Sequence, residues 1–294
     1  QLHDSLSAYT KFSWYSHEGD FFSPGIEAPF GGVPLRGDDT EYERTDLEAV
    51  LLWSAHDILD LVTGLNAQWE DGKNDGFLIF DAVETDFALD RESLGLMFEA
   101  RLSPTENLTL SAGVRVDDAD SAGTQTNHAM GAVWQLGDSG SSLYANFATG
   151  FKLPSFFALG HALVGNPDLM PEESDTWQLG LRSQLMQQRL SLAVELYSSE
   201  FKNLIDFDEQ LFTNVNRSLV ESRGVDLSAS YKPESESFSI RAFVSYLDLD
   251  VVSSDDVLRG RPRWHAGVSA YTQLSAKLGL NLDYGWNDTT IEAA

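Results

Sequence analysis

The feature that most constrains the fold is an alternation of apolar and polar side chains with a period of two residues. In residues 277–287 every second position is apolar or aromatic: Leu278, Leu280, Leu282, Tyr284 and Trp286. The positions between them are small or polar. This period is typical of β-strands that have one apolar face. It predicts thirteen strands, at about 4–16, 42–54, 58–70, 91–103, 107–117, 125–136, 142–151, 174–186, 189–202, 219–232, 237–250, 262–274 and 277–287.

The polar faces of these strands indicate what surrounds the sheet. They carry Gly, Ser, Asn, Gln, Asp and Arg, which are costly in a dry core and suit a water-filled lumen. Each segment is about long enough to cross a bilayer as a tilted strand. Aromatic residues lie near the ends of the apolar faces, as at a membrane interface (Trp14, Trp53, Trp69, Trp134, Tyr231, Phe238, Tyr246, Trp264 and Trp286). We therefore predict an all-β fold, an antiparallel up-and-down transmembrane β-barrel.

The connections between the predicted strands alternate in length. Tight turns are predicted at 55–57, 104–106, 137–141, 233–236 and 275–276, and long links at 17–41, 71–90, 118–124, 152–173, 203–218 and 251–261. Such alternation arises when one rim of a barrel has periplasmic turns and the other has extracellular loops. A closed bacterial barrel normally has an even number of strands. We therefore interpret residues 1–294 as part of one larger barrel domain.

Composition narrows the functional classes. The 294 residues carry 19 Lys and Arg against 46 Asp and Glu, a formal net charge of −27, which disfavours nucleic acid as a partner. Cysteine is absent, so thiolate and disulfide chemistry are excluded. No apolar run reaches the length of a spanning helix. No catalytic motif such as G-x-S-x-G, a Walker loop or H-E-x-x-H is present, and we predict that the protein is not an enzyme.

The segment 144–181 carries a set of motifs in a fixed order. It contains Phe151–Pro154 (FKLP), Asn166–Leu169 (NPDL), Pro171–Glu172, and then Trp177 with Gly180. In this order the segment resembles the C-terminal half of TonB-dependent outer-membrane receptors, nearest the cobalamin and siderophore receptor group. Similar elements follow at 201–207, 213–231 and 258–270.

The resemblance implies a barrel of 22 strands, of which about 13 are present here, with the plug domain, the first strands and the last strands absent. It implies an outer-membrane location, lipid and lipopolysaccharide contacts, and coupling to the TonB–ExbB–ExbD complex through the missing N-terminal part. The implied function is active import of a scarce metal chelate, cobalamin or a ferric siderophore. The alternatives are a haem receptor of the same family, a passive porin-like channel and, third, a soluble secreted β-protein.

The loop between the FKLP and NPDL elements provides the candidate ligand-facing residues. These are Phe156, Phe157, His161, Asn166 and Asp168, together with Arg259 in a later outer link. For His161 we favour local hydrogen bonding, and axial ligation of haem iron is the alternative. Phe156 and Phe157 either line an apolar vestibule or pack the loop onto its neighbours.

A further candidate site is the acidic link 71–90, with its neighbour Glu70. Its carboxylates are Asp71, Asp75, Asp81, Glu84, Asp86 and Asp90, against Lys73 alone. As the resemblance to the cobalamin receptor implies, calcium could bind at Asp71, Asp75 and Asp81, although the spacing of an EF-hand is absent. A solvated acidic loop is the preferred interpretation, and no other cofactor is predicted.

Overall fold

The computed structural model describes residues 5–26, 35–78, 83–208, 210–235, 237–252 and 261–288. It contains one antiparallel sheet of fourteen strands and one short helix. The strands are β1 (Leu6–Ser23), β2 (Arg36–His56), β3 (Leu59–Leu78), β4 (Val83–Glu84), β5 (Phe87–Thr105), β6 (Leu108–Ala119), β7 (Gly123–Gln135), β8 (Ser141–Lys152), β9 (Glu172–Leu185), β10 (Leu190–Asp208), β11 (Thr213–Tyr231), β12 (Phe238–Val251), β13 (Trp264–Ser275) and β14 (Leu278–Asn287). The helix α1 spans Phe156–Gly160, and a 3₁₀ turn spans Gly137–Ser139.

The strand order confirms the predicted up-and-down topology. Every long strand pairs with the long strands before and after it in the chain, so the order runs from β1 to β14 with β1 and β14 at its two ends. Each of the thirteen predicted segments corresponds to one long strand. The fourteenth strand, β4, has two residues and pairs only with β3.

Several strands continue well beyond their predicted ends on the side of the long links. β3 reaches Leu78 and β10 reaches Asp208, so the predicted links 71–90 and 203–218 are largely strand. The predicted link 118–124 is also wrong, because only residues 120–122 separate β6 from β7. A strand pairs through its backbone, and it needs no apolar face where both faces meet water.

The two rims of the sheet differ. On one rim the connections are short, at 57–58, 106–107, 136–140, 186–189 and 276–277. The turn at 186–189 has three successive left-handed residues, Met186, Gln187 and Gln188, with φ of 53°, 56° and 67°. The opposite rim is uneven in height, since β2 and β3 have 21 and 20 residues whereas β6 and β7 have 12 and 13.

The two faces of the sheet also differ. The outer face exposes large apolar residues, among them Trp14, Trp69, Trp177 and Trp264. On the inner face, which lines the lumen, aromatic rings lie flat over glycines of the next strand. A Cβ on Gly180 would lie 2.2 Å from Cζ of Tyr144. Among the described residues, no helix is long and apolar enough to cross a membrane.

Few side chains are buried in this one-layer wall, and most of them lie near the long-link rim, on the inner face or in the β8–β9 loop. They include Glu70, Asn74, Arg91, Phe156, Ala158, His161 and Leu169. The wall alone cannot bury them, because it is a single layer. Asn74 is covered by the segment after β4, since its side chain donates to the carbonyl of Thr85 at 2.9 Å. Burial of the others comes from the connection between β8 and β9, which folds against the inner face.

Candidate functional site

Residues 153–171, which we call the folded loop, connect β8 to β9 and form a compact unit of their own. Helix α1 begins after Ser155, whose hydroxyl accepts a hydrogen bond from the backbone N–H of Ala158 at 3.1 Å. It ends at His161, whose N–H donates to the carbonyl of Phe157 at 3.2 Å. The N–H of Asn166 then donates to the carbonyl of Ala158 at 2.8 Å, which closes the loop on the helix.

An ion pair on the barrel wall anchors the start of the folded loop. Arg91 on β5 and Glu70 on β3 are direct register partners, and their side chains are 9% and 6% exposed. Nε and Nη2 of Arg91 both lie 2.7 Å from Oε2 of Glu70, and Nη1 donates to the carbonyl of Pro154 at 3.0 Å. The Tyr42 hydroxyl donates to Oε1 of Glu70 at 2.5 Å. The carboxylate is thus satisfied on both oxygens, as a buried charge requires.

Phe156 packs into the space above this ion pair. Its ring lies over Gly72 of β3, where an added Cβ would be 2.2 Å from Cδ2 of the ring. The Arg91 guanidinium carbon is 4.9 Å from the centre of the same ring, within the range of a cation–π contact. Phe156 is 8% exposed, so the wall and the loop bury it between them. Of the two predicted roles for Phe156, this contact favours packing of the loop.

His161 is held inside the folded loop. Its Nδ1 accepts hydrogen bonds from the backbone N–H groups of Leu163 at 3.3 Å and Val164 at 3.4 Å. The ring centre is 4.6 Å from that of Phe157, and the residue is 8% exposed. Burial lowers the pKa of His161 below its usual range, which favours the neutral ring. Nδ1 therefore hydrogen-bonds locally, and only Nε2 is left for any other ligand.

The far end of the folded loop is tied to β11. The Asn166 side-chain amide donates to the carbonyl of Asn214 at 3.0 Å, and the Asn214 side chain donates to the carbonyl of Val164 at 2.7 Å. Asn216 accepts from the N–H of Met170 at 2.9 Å and donates to its carbonyl at 3.0 Å. The loop thus contacts β3 and β5 on one side and β11 on the other, so it lies across the inner face.

The structure brings five of the six predicted ligand-facing residues together in this loop. Phe156 and His161 are buried, Asn166 is partly buried, and Phe157 and Asp168 are exposed. The large exposed apolar side chains of the loop are Phe157, Leu163 and Met170, at 47%, 42% and 52%. Arg259 lies outside the described residues.

The acidic residues predicted to bind calcium do not lie on the face of the sheet that the folded loop contacts. Asp71 and Asp75 lie on β3, exposed and on the face of Trp69, opposite to Glu70 and Gly72. Asp81 lies outside the described residues. Within the described part of the chain, no group of three or more His, Asp or Glu side chains is arranged to hold a metal ion. Calcium at these positions stays a prediction.

Three wall residues that meet the start of the folded loop were not singled out from the sequence: Tyr42, Arg91 and Gly72. They occupy inner-face positions on β2, β5 and β3. These positions lie toward the long-link rim, where apolar and polar residues no longer alternate along the strands. The only available indication was a lone arginine, Arg91, beside an acidic link. To predict the ion pair, one would also need the strand register, which places Arg91 opposite Glu70.

The chain is similar to known proteins both in its sequence and in its fold. The family model for the β-barrel of TonB-dependent receptors matches residues 2–292. The chain belongs to the TonB-dependent receptor family. It is therefore part of a β-barrel of the bacterial outer membrane, whose strands cross the bilayer.

Individual relatives of this TonB-dependent receptor chain agree with the fold. It is 28% identical over 206 residues to the vitamin B12 transporter BtuB of Photobacterium profundum, a match that covers 66% of the chain and 32% of BtuB. The copper transporter OprC matches with a TM-score of 0.74 at 18% identity, over 93% of the chain and 49% of OprC. The ferric yersiniabactin uptake receptor FyuA of Yersinia pestis matches with a TM-score of 0.74 at 14% identity, over 97% of the chain and 47% of FyuA.

The chain thus spans about a third to a half of the length of these relatives. The two structural matches show a shared fold. The sequence match to BtuB agrees with the resemblance carried by the motifs of residues 144–181.

Proposed function

We propose that the protein containing this chain is a receptor that imports a scarce metal chelate, cobalamin or a ferric siderophore, across the outer membrane. In this proposal, energy comes from the TonB–ExbB–ExbD complex acting through a part of the protein outside this chain. No covalent bond of the ligand is made or broken. The cargo class is supported by the functions of the relatives, which are a vitamin B12 transporter, a copper transporter and a ferric yersiniabactin uptake receptor.

The observation that carries the proposal is the attachment of the folded loop across the inner face. A loop fixed at both ends to the wall can offer a stable surface to a ligand, because little ordering is needed when the ligand binds. Phe157, Leu163 and Met170 provide exposed apolar area on this loop. A metal chelate with an organic periphery could bury that area, with Asp168 at its edge.

The test is uptake by cells that carry the complete gene. Radiolabelled cyanocobalamin and iron-55 siderophores would be supplied separately to a deletion strain, with and without the gene. We expect one of them to accumulate, and the accumulation to disappear in a tonB deletion or in the presence of a protonophore. Uptake that persists without TonB would instead identify a passive channel and refute the proposal.

A paired substitution would connect uptake to the folded loop. Phe157→Ser removes an exposed aromatic ring from the loop, whereas Phe12→Ser removes an exposed aromatic ring from the lipid-facing side of β1. We expect the first change to raise the KM for uptake and the second to leave it unchanged. The amount of receptor in the membrane would be measured for both variants.

A further inference from the structure

The folded loop carries almost no charge, and the charge that it does carry is negative. Residues 153–171 contain no lysine or arginine and a single carboxylate, Asp168, which is exposed. The loop also contains His161, and burial lowers the pKa of this residue, so its ring is neutral at pH 7. We call the outer surface of the folded loop, together with the long-link rim around it, the entrance.

The cations of the wall beside the folded loop are neutralised by carboxylates. Within the described part of residues 36–185, five cations lie on the inner face in the half of the wall nearer the long-link rim. All five are in ion pairs: Arg36 with Asp38 at 3.0 Å, Arg44 with Asp46 at 2.8 Å, Arg91 with Glu70 at 2.7 Å, Arg115 with Asp117 at 2.6 Å, and Lys152 with Glu172 at 3.1 Å. On β11, Arg217 lies 3.3 Å from Asp206 and 3.4 Å from Asp208. These pairs bring no net positive charge to the entrance.

Carboxylates are in excess at the top of the wall. Asp20, Asp39 and Asp75 are successive register partners across β1, β2 and β3, and all three are exposed. Desolvation and, after it, the neighbouring carboxylates raise the pKa of Asp39 above its usual range. The nearby cation Lys73 lies directly opposite Glu41. In the links, the residues outside the described ranges add four carboxylates and one cation to the composition: Glu27, Asp81, Asp255, Asp256 and Arg259.

We propose that the entrance selects its cargo by charge, so that the cargo is a neutral or cationic chelate and a polyanionic complex, such as iron bound by three catecholates, is rejected. A surface lined by one sign of charge changes the association rate of a charged ligand by about 10- to 1,000-fold. The exposed apolar side chains of Phe157, Leu163 and Met170 suit an uncharged periphery. This inference rests on the proposed function in one respect, that the cargo enters across the folded loop, and it narrows the cargo class.

The charge of the entrance can be measured without any cargo. This chain has no cysteine, so Met170→Cys places its only thiol on the folded loop. Met170 is 52% exposed, and Asn216 holds its backbone at 2.9 and 3.0 Å. Any cysteine elsewhere in the complete protein would be replaced by serine. The purified protein would react with a cationic and with an anionic methanethiosulfonate, and each rate would be divided by the rate for free 2-mercaptoethanol.

We expect the cationic reagent to react faster than the anionic one by about tenfold at low ionic strength. The difference should shrink in high salt and when Asp168→Asn is added. Met186→Cys is the matched control, because Met186 is also an exposed methionine, at 65%, but lies on the short-turn rim near Arg189. There the two rates should differ much less. Equal rates at Met170→Cys, or a faster anionic reagent, would show that the rest of the protein makes the entrance positive and would overturn the inference.

Uptake by cells that carry the complete gene tests the cargo class itself. The probes are cyanocobalamin, which is neutral, ferrioxamine B, which is cationic, and the anionic iron complex of three catecholates. We expect TonB-dependent uptake of a neutral or cationic probe. TonB-dependent uptake of the catecholate complex would overturn the inference and leave the proposed transport intact. Absence of uptake for all probes would instead count against the proposed transport, and the thiol rates would still decide whether the entrance repels anions.

Discussion

Arg91 and Glu70 lie directly opposite one another on neighbouring strands and form a buried ion pair at 2.7 Å that also holds the carbonyl of Pro154. One pair of side chains therefore links two strands of the wall to the start of the folded loop. A buried charge that loses its partner is destabilising, whereas an exposed pair contributes little. This difference gives a direct test of the anchor.

Arg91→Ala should release the folded loop. It leaves Glu70 buried without its cation, and we expect the opening free energy of residues 154–161 to fall by about 3–5 kcal/mol. Hydrogen exchange followed by mass spectrometry on the complete protein would measure it. Arg115→Ala is the control, because Arg115 pairs with Asp117 on the same inner face, away from Glu70, and is 40% exposed. Equal protection of 154–161 in both variants would show that the ion pair does not anchor the loop.

Gly72→Ala should displace the ring of Phe156. A methyl group there would lie 2.2 Å from the ring, and we expect a cost of about 1–3 kcal/mol in loop stability. Gly285→Ala is the comparison, because an added Cβ on Gly285 meets no atom within 4 Å. Both variants would be compared by exchange of residues 155–161. An unchanged loop in Gly72→Ala would contradict the packing of Phe156 on β3.

Acid should loosen the folded loop through His161. Burial lowers the pKa of His161, so the opened loop binds a proton more readily than the closed one. Stability is therefore full above about pH 6.5, the ordinary histidine value, and is lost as the pH falls toward the lowered pKa. Protonation would also turn Nδ1 into a donor facing the N–H groups of Leu163 and Val164. Of the nearby charges on β2, Asp38 opposes this lowering of the pKa and Arg36 supports it.

The measurement is exchange protection of residues 155–166 at pH 8 and pH 5, corrected for intrinsic rates. The parent protein should lose protection at pH 5, and His161→Gln should abolish most of the pH dependence. His128→Gln, at an exposed histidine of β7, should behave as the parent does. A pH response that survives His161→Gln would assign it to another group.

The two faces of β13 should respond in opposite ways to a charge. Val268 lies on the lipid-facing side, and its neighbour Ser269 lies on the inner side beside Asp283. Val268→Arg should cost about 2–4 kcal/mol in the bilayer, whereas Ser269→Arg can pair with Asp283. Heat-modifiable migration of the complete protein from outer-membrane fractions would report folding. Equal loss of the folded band in both variants would contradict the assignment of the faces.

The sequence predicted the wall of the barrel well, and the reason is physical. Segments such as 277–287 alternate because one face meets lipid and the other meets water. Further from the bilayer both faces are wet, and the alternation disappears at Asp71, Lys73 and Asp75 although the backbone pairing continues. The predicted strands β3 and β10 therefore ended too early, because the alternation stops before the backbone pairing does.

The site was predicted only in part. The motifs of the folded loop identified Phe156, His161 and Asn166 as residues of one connection. Their partners Glu70, Arg91 and Asn214 are 48 or more residues away from them along the chain. Which wall positions meet the loop depends on how the sheet curves, and no local pattern encodes that curvature. The sequence therefore indicated which side chains could bind a ligand, but it did not indicate which side chains lie close together.

The uneven rim has a consequence for the direction from which a molecule can approach. β6 and β7 are about eight residues shorter than β2 and β3, so the wall is lower there by roughly 20 Å for strands of ordinary tilt. Such a notch is a gap in the side of the wall above β6 and β7. The folded loop runs from β8 back to β3 and β5, and it passes behind this notch. It therefore covers this low part of the wall from the inner side.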